Sequence, residues 1–173
     1  NDLSYDNSDI RRKEQFMAYR GDFKPFFQYI ADSIYTYASQ RDRQKGEAFV
    51  HGYTLALTSQ CRFYRPISEL DNQGGYADIF LRPRYEIFRD MELSYIIELI
   101  YLKSQASDAE VETAKEQAAA QVCRYADTVN VNDNIGQTRL HKVIVVYRGV
   151  EMVACEEVFR QSHKQIFTNE KAL

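Results

Sequence analysis

Residues 94–103, SYIIELIYLK, decide how the chain is read. Taken with a period of two, Ser94, Ile96, Glu98, Ile100 and Leu102 share one face. Tyr95, Ile97, Leu99, Tyr101 and Lys103 share the other. Both faces are largely apolar and rich in strand-forming residues, as in a central strand covered on two sides by helices. Glu98 is then a carboxylate in the middle of a buried strand. The stretch ahead of it, YADIFLRP at 76–83, reads as a second strand, with Asp78 in a similar place between Ala77 and Ile79. A lone buried carboxylate is costly and tends to take up a proton. Two that converge suggest a cation between them.

Upstream, residues 1–9 are a polar lead-in and 10–19 fit a short helix. Asp22 follows the break at Gly21 as the N-cap expected for a helix running to about Ala38, with Pro25 harmless in its first turn. Phe23, Phe26, Phe27, Ile30, Ile34 and Tyr37 give that helix one apolar face. Residues 39–46 read as a polar connection, and EAFVHGYTLALTS at 47–59 as another helix. A strand fits 63–69, where Pro66 argues for an edge position, and DNQGG at 71–75 is a turn. Downstream of 76–83, RYEIFRDMEL at 84–93 is a loop.

Beyond the central strand, Ser107 and Glu110 form a capping box that starts a helix to about Asp127. Its stripe of Val111, Ala114, Ala118, Val122 and Tyr125 lets it lie close to a sheet, with Gln121 on the same side. Residues 130–139 read as a loop. HKVIVVYRG (141–149) and EMVACEEV (151–158) are strands joined by a tight turn at Arg148-Gly149. The polar tail, 159–173, is open to a helix. The crossover from 94–103 through the helix to 142–148 should be right-handed and parallel, and the first three strands an antiparallel meander. The expected fold is α/β: a mixed sheet with helices on both faces.

With 173 residues and 45% hydrophobic content, the chain suits one domain with a sizeable core. The formal net charge of −3 gives no global attraction to nucleic acid or to an anionic membrane, so any nucleic-acid contact must rest on a local basic surface. Cys61, Cys123 and Cys155 form no CxxC and are odd in number, which fits reduced thiols in a cytoplasmic protein. No apolar run reaches membrane-spanning length. The chain begins at Asn1 without an initiator Met, as a piece of something longer would.

Five segments in order resemble the PD-(D/E)XK nuclease superfamily: EAFVHGY (47–53), SELDNQGGYADIFL (68–81), YIIELIYLK (95–103), AAAQVCRYAD (118–127) and VIVVYRGVEM (143–152). More narrowly they are similar to the branch found C-terminal to an AAA-ATPase-like domain in many bacterial proteins. The resemblance covers residues 20–158, leaving 1–19 as a lead-in or linker end and 159–173 as a tail. It implies a three-layer α/β/α, restriction-endonuclease-like fold with a central mixed sheet. It also implies Mg²⁺- or Mn²⁺-dependent hydrolysis of phosphodiester bonds in DNA or RNA. By the same resemblance, Asp78, Glu98 and the main-chain carbonyl of Leu99 bind the metal. Glu47 is the accessory acid, and Gln121 the polar residue presented by the following helix.

One departure is serious. The family carries Lys two residues after the Glu, where this sequence has Ile100. Such a lysine helps activate water and offsets charge at the phosphate. Lys103, at an odd offset from Glu98, falls on the opposite strand face. Arg82 shares the face of Asp78 and is conceivable as a displaced cation. Three functions therefore stay open. One is a nuclease with a weakened site; another is a nuclease fold serving as a binding or regulatory module, for an attached ATPase domain among others. The third is an unrelated α/β domain in which Asp78 and Glu98 are structural.

Plainer readings stand beside the sharp ones. Glu98 could pair with an arginine, and Glu47 could simply favour a helix start. His51 reads as a hydrogen-bonded helix histidine, and Gln121 could satisfy a buried backbone group. Glu69 reads as a solvated ion pair. Arg41, Arg43 and Lys45, interleaved with Asp42 and Gln44, look like an ordinary solvated loop, although they could meet a phosphate backbone. His141 and His163 carry no partner pattern.

Overall fold

A computed structural model describes residues 8–72, 75–127, 129–159 and 166–167. Its elements in chain order are α1 (Ser8–Arg20), α2 (Lys24–Tyr37), α3 (Gln40–Lys45), α4 (Glu47–Thr58), β1 (Tyr64–Asn72), β2 (Gly75–Pro83), β3 (Leu93–Leu102), α5 (Asp108–Ala126), α6 (Val129–Ile135), β4 (Arg139–Arg148), β5 (Glu151–Phe159) and the two-residue β6 (Ile166–Phe167).

The six strands lie side by side in chain order. β1, β2 and β3 form the expected antiparallel meander, with Phe80 opposite Ile96 in the second pair. β3 runs parallel to β4 along its whole length, from Leu93–Arg139 to Leu102–Arg148, with α5 in the crossover. β4 and β5 form a hairpin with a register shift between Val146 and Tyr147. β1 is an outer strand of the sheet, so Pro66 removes no interior ladder bond.

The two faces of β3 go to two cores, as its alternation requires. Tyr95, Ile97 and Leu99 join Ile79, Leu81, Val143 and Val145 beneath the buried residues of α1, α2 and α4. Ile96 joins Phe80, Ile144 and Val158 beneath Ala118, Ala119 and Val122 of α5, with Ile100 packed at the margin. The result is the expected α/β/α layering of a mixed sheet. Burying a side chain such as Ile96 or Ile97 completely contributes about 1.5–3 kcal/mol, so this two-sided strand is the main anchor of the domain.

α5 begins where its capping box places it. Ser107 Oγ accepts from the Glu110 N–H at 3.3 Å, and Glu110 Oε2 accepts from the Ser107 N–H at 2.7 Å. α1 belongs to the same packed body: Met17 and Ala18 are buried, and the Tyr95 hydroxyl donates to the Met17 carbonyl at 2.7 Å.

Several boundaries differ from expectation. α2 is capped by Phe23, with no side-chain cap; the Asp22 N–H instead donates to the Phe16 carbonyl and closes the exit from α1. Tyr37, expected on the apolar face of α2, is exposed. The connection at 39–46 contains α3, held by a Ser39–Asp42 capping box, and the loop at 130–139 contains α6. The first hairpin is tighter than expected, with Asn72 opposite Gly75. The last turn centres on Gly149 and Val150. In the tail, Ile166–Phe167 pair with β5 as a strand rather than a helix.

Candidate active site

The site lies where β2 and β3 part. Their pairing ends at Ile79 opposite Ile97. Beyond that point the Asp78 side chain takes over from the backbone ladder, its Oδ2 accepting the Leu99 N–H at 2.8 Å. α4 closes the gap from the other side. His51 Nε2 stands 3.2 Å from the Asp78 carbonyl oxygen; because a carbonyl only accepts, this contact requires the Nε2–H tautomer. Glu47 and His51 of α4, Asp78, and Leu99, Ile100 and Tyr101 of β3 together line a small cleft.

Glu98 sits beside it on the α5 face of β3, 6% exposed. Its Oε2 is buried and has no hydrogen-bond partner. Burial pushes its pKa up to about 8, helped by the negative charge of Asp78 and, more weakly, of Glu47, while Arg124 works the other way. Both acids therefore act on Glu98 electrostatically. Of the arginine pairing weighed for Glu98, only a through-space attraction to Arg124 is present among the described residues.

Of the expected residues, Glu47, Asp78 and Leu99 line this cleft, and Glu98 lies beside it within electrostatic reach of both acids. Gln121 does not line the cleft. It hydrogen-bonds the Tyr125 hydroxyl on α5, and that hydroxyl is raised in pKa by burial and by the nearby charge of Glu98. Arg82 is committed elsewhere, donating to the Tyr85 hydroxyl at 2.8 Å and to Glu86 Oε1 at 2.6 Å. Lys103 is exposed at the strand end. The side chain of Glu69 and all of His163 lie outside the described residues.

Sequence reasoning did not single out Arg124 or Tyr101. Arg124 lies three residues after Gln121 on the same helix, a spacing that could have flagged it. Tyr101 looked like core, and only the meeting of β3 with the α3–α4 junction brings it to the cleft. His141 does have a partner: its Nδ1 lies 2.7 Å from Glu157 Oε1, and its ring stacks on Tyr95 at 5.1 Å. That pair is inside the sheet and away from the cleft.

Among the described residues no three or more His, Cys, Asp or Glu form a cluster able to hold a metal ion. No helix among them is long and apolar enough to cross a membrane. Larger cavities exist, one of about 450 Å³ lined by residues of α1, α2 and α4, but Asp78 and Glu98 do not line it. No curated protein and no solved structure matches the chain. The pattern of one family does match, over residues 45–157, which run from the end of α3 to near the end of β5 and include every residue of the cleft. With its mixed sheet, two helical layers and paired acids inside that span, the chain belongs to the PD-(D/E)XK nuclease superfamily.

Proposed function

We propose that this is a metal-dependent nuclease domain whose hydrolysis of phosphodiester bonds in DNA or RNA is weak or lost, because Ile100 stands where the motif carries Lys. One observation carries the reading: the buried, unpartnered Oε2 of Glu98 next to the Asp78 carboxylate. An orphaned buried carboxylate oxygen is expensive in a purely structural role. It is accounted for if a cation completes it.

The residues present fit Mg²⁺ or Mn²⁺, which prefer hard oxygen ligands and retain waters. Asp78, Glu98 and the Leu99 carbonyl would hold the ion, and Glu47 would add negative charge at the rim. When bound, such an ion lowers the pKa of a water and stabilises charge developing on the phosphate. The chain's own groups do the positioning. The Leu99 N–H orients the Asp78 carboxylate, and His51 fixes the Asp78 backbone through its carbonyl. Ile100 lines the cleft but offers neither a proton nor a charge.

The partial packing of Ile100 against the α5-side core favours a second reading, a nuclease fold kept for binding or regulation. An AAA-ATPase-like domain in a longer, bacterial, cytoplasmic protein is the partner that reading would take. The first test is common to both. Calorimetric titration with Mn²⁺ should show one weak site that disappears in Asp78→Ala. Binding unchanged by that substitution would place the metal elsewhere and remove the nuclease reading.

A further inference from the structure

We propose that a second cleft, which shares Tyr101 with the acidic one, holds a single-stranded flank of a nucleic-acid substrate. The inference rests on the nuclease reading for its direction, but its own evidence is separate. Tyr101 lines both clefts. The second of them, a cleft of about 220 Å³, is walled by Tyr35, Arg43, Ser104 and Arg148, with Glu151 also at its border.

Four parts of the chain meet here, and each contributes a group suited to a polynucleotide. The ring of Tyr101 is seated against Gly46, where a Cβ would lie only 2.9 Å from its Cε1 and where φ is +56°. That glycine joins α3 to α4, so the seat of Tyr101 is one residue from Glu47. Arg43 is exposed on α3, its Nε donating to the Ala38 carbonyl at 3.4 Å. Arg148, at the end of β4, is steadied by the Ala106 carbonyl at 3.3 Å and by Asp108 at 2.8 Å. Two arginines 105 residues apart in the chain thus line one cleft. Guanidinium forks match phosphate oxygens, and with Arg43 donating through Nε and Arg148 through Nη1, the other guanidinium nitrogens of each are left to meet a phosphate.

Tyrosines set the strandedness. Tyr35 is 61% exposed in the cleft wall, and Tyr37, 64% exposed, lies two residues on at the end of the same helix. Large exposed rings are costly in water but serve as stacking platforms for unpaired bases, which a duplex keeps inside its own stack. The net charge of −3 also argues against tracking a duplex along a broad basic surface. From Glu98 to Leu102 is four residues, about 13 Å of strand. A strand cut at the acids would therefore reach the arginines within a few nucleotides.

The test uses fluorescence anisotropy with a labelled 12-nucleotide single strand, as DNA and as RNA, and the matching duplex, all in EDTA so that no metal contributes. Wild type should bind one of the single strands more tightly than the duplex. Arg43→Glu, on an exposed short helix, should weaken that binding at least tenfold, and Arg148→Gln several-fold. Each lost phosphate contact should lower the salt slope by about 0.7. Tyr35→Ala should weaken the single strand several-fold and leave the duplex unchanged. Folded Arg43→Glu and Tyr35→Ala variants that bind like wild type would overturn the proposal. So would a duplex bound as tightly as the single strand. Failure here with the Mn²⁺ site at Asp78 intact removes this cleft and leaves the nuclease reading. Binding through Arg43 and Tyr35 with no Mn²⁺ site at Asp78 does the reverse.

Discussion

Glu98 is held in a protonation state that water would not give it. In the unfolded chain its pKa is near 4.5, and in the fold near 8, chiefly through burial. Between those values the folded chain binds more protons than the unfolded one, so stability falls as pH rises across that window. In EDTA, Glu98→Gln should flatten this fall, and above pH 8 the variant should be more stable than wild type by on the order of a few kcal/mol. Urea unfolding at several pH values checks it; parallel curves for the two proteins would refute it. Ile100 supplies the matching test of chemistry. Groups of the kind the motif lysine supplies are worth about two to four orders of magnitude in rate. Wild type should cleave single- or double-stranded nucleic acid very poorly with Mg²⁺ or Mn²⁺, and Ile100→Lys should raise metal-dependent cleavage measurably, with the gain abolished by adding Asp78→Ala. Strong Asp78-dependent cleavage by wild type would mean that another residue fills the role. The acids were legible because an acid interrupting a two-sided apolar strand has few explanations. The Asp78–Leu99 bond was not, since it depends on where the β2–β3 ladder stops.

At the scale of elements, the capping box at Ser107 is the clearest device. It satisfies N-terminal donors of α5, the helix that covers Glu98. Ser107→Ala should cost about 1 kcal/mol and lower the melting temperature by about 2–4 °C, with Ser107→Asp close to wild type. Calorimetry decides, and no change would mean that the first turn of α5 is held by packing alone. This helix was readable from a motif and a stripe. α3 was not, because QRDRQK has no apolar periodicity and rests on a cap with Asp42 in place of the usual Glu or Gln. α6, VNVNDNI, hides behind β-branched and Asn residues that favour turns over helices. Tertiary contact decides α6, whose Val131 is fully buried against the α5 side of the sheet, whereas α3 buries no residue and is held by its capping box. The second cleft was hidden for the same reason. Arg43 read as loop, and nothing local links it to Arg148.

Across the whole molecule, β3 and β4 form the longest ladder and contribute to both cores. Their amides, from Tyr95 to Leu99 and from Val143 to Tyr147, should therefore exchange hydrogen most slowly, opening only with global unfolding, while α3 and α6 exchange through local opening. Hydrogen-exchange mass spectrometry would show this, and faster exchange in β3 than in β1 would contradict it. The layered architecture was legible because each strand of the meander follows its neighbour, and the long crossover allows one hand. The strand order has a further meaning for a chain emerging from the ribosome. Each strand is laid against the one made just before it, and none must be threaded between two already in place. β1, β2 and β3 are complete at Leu102, before α5 has been made. At that moment Asp78 and Glu98 look out into water as two ordinary carboxylates. The next two dozen residues take a few seconds at most to appear, at about 5–20 per second. Only when they coil and settle does Glu98 lose its hydration, so one acid of the pair is born wet and becomes dry, while Asp78 stays half-exposed at the cleft.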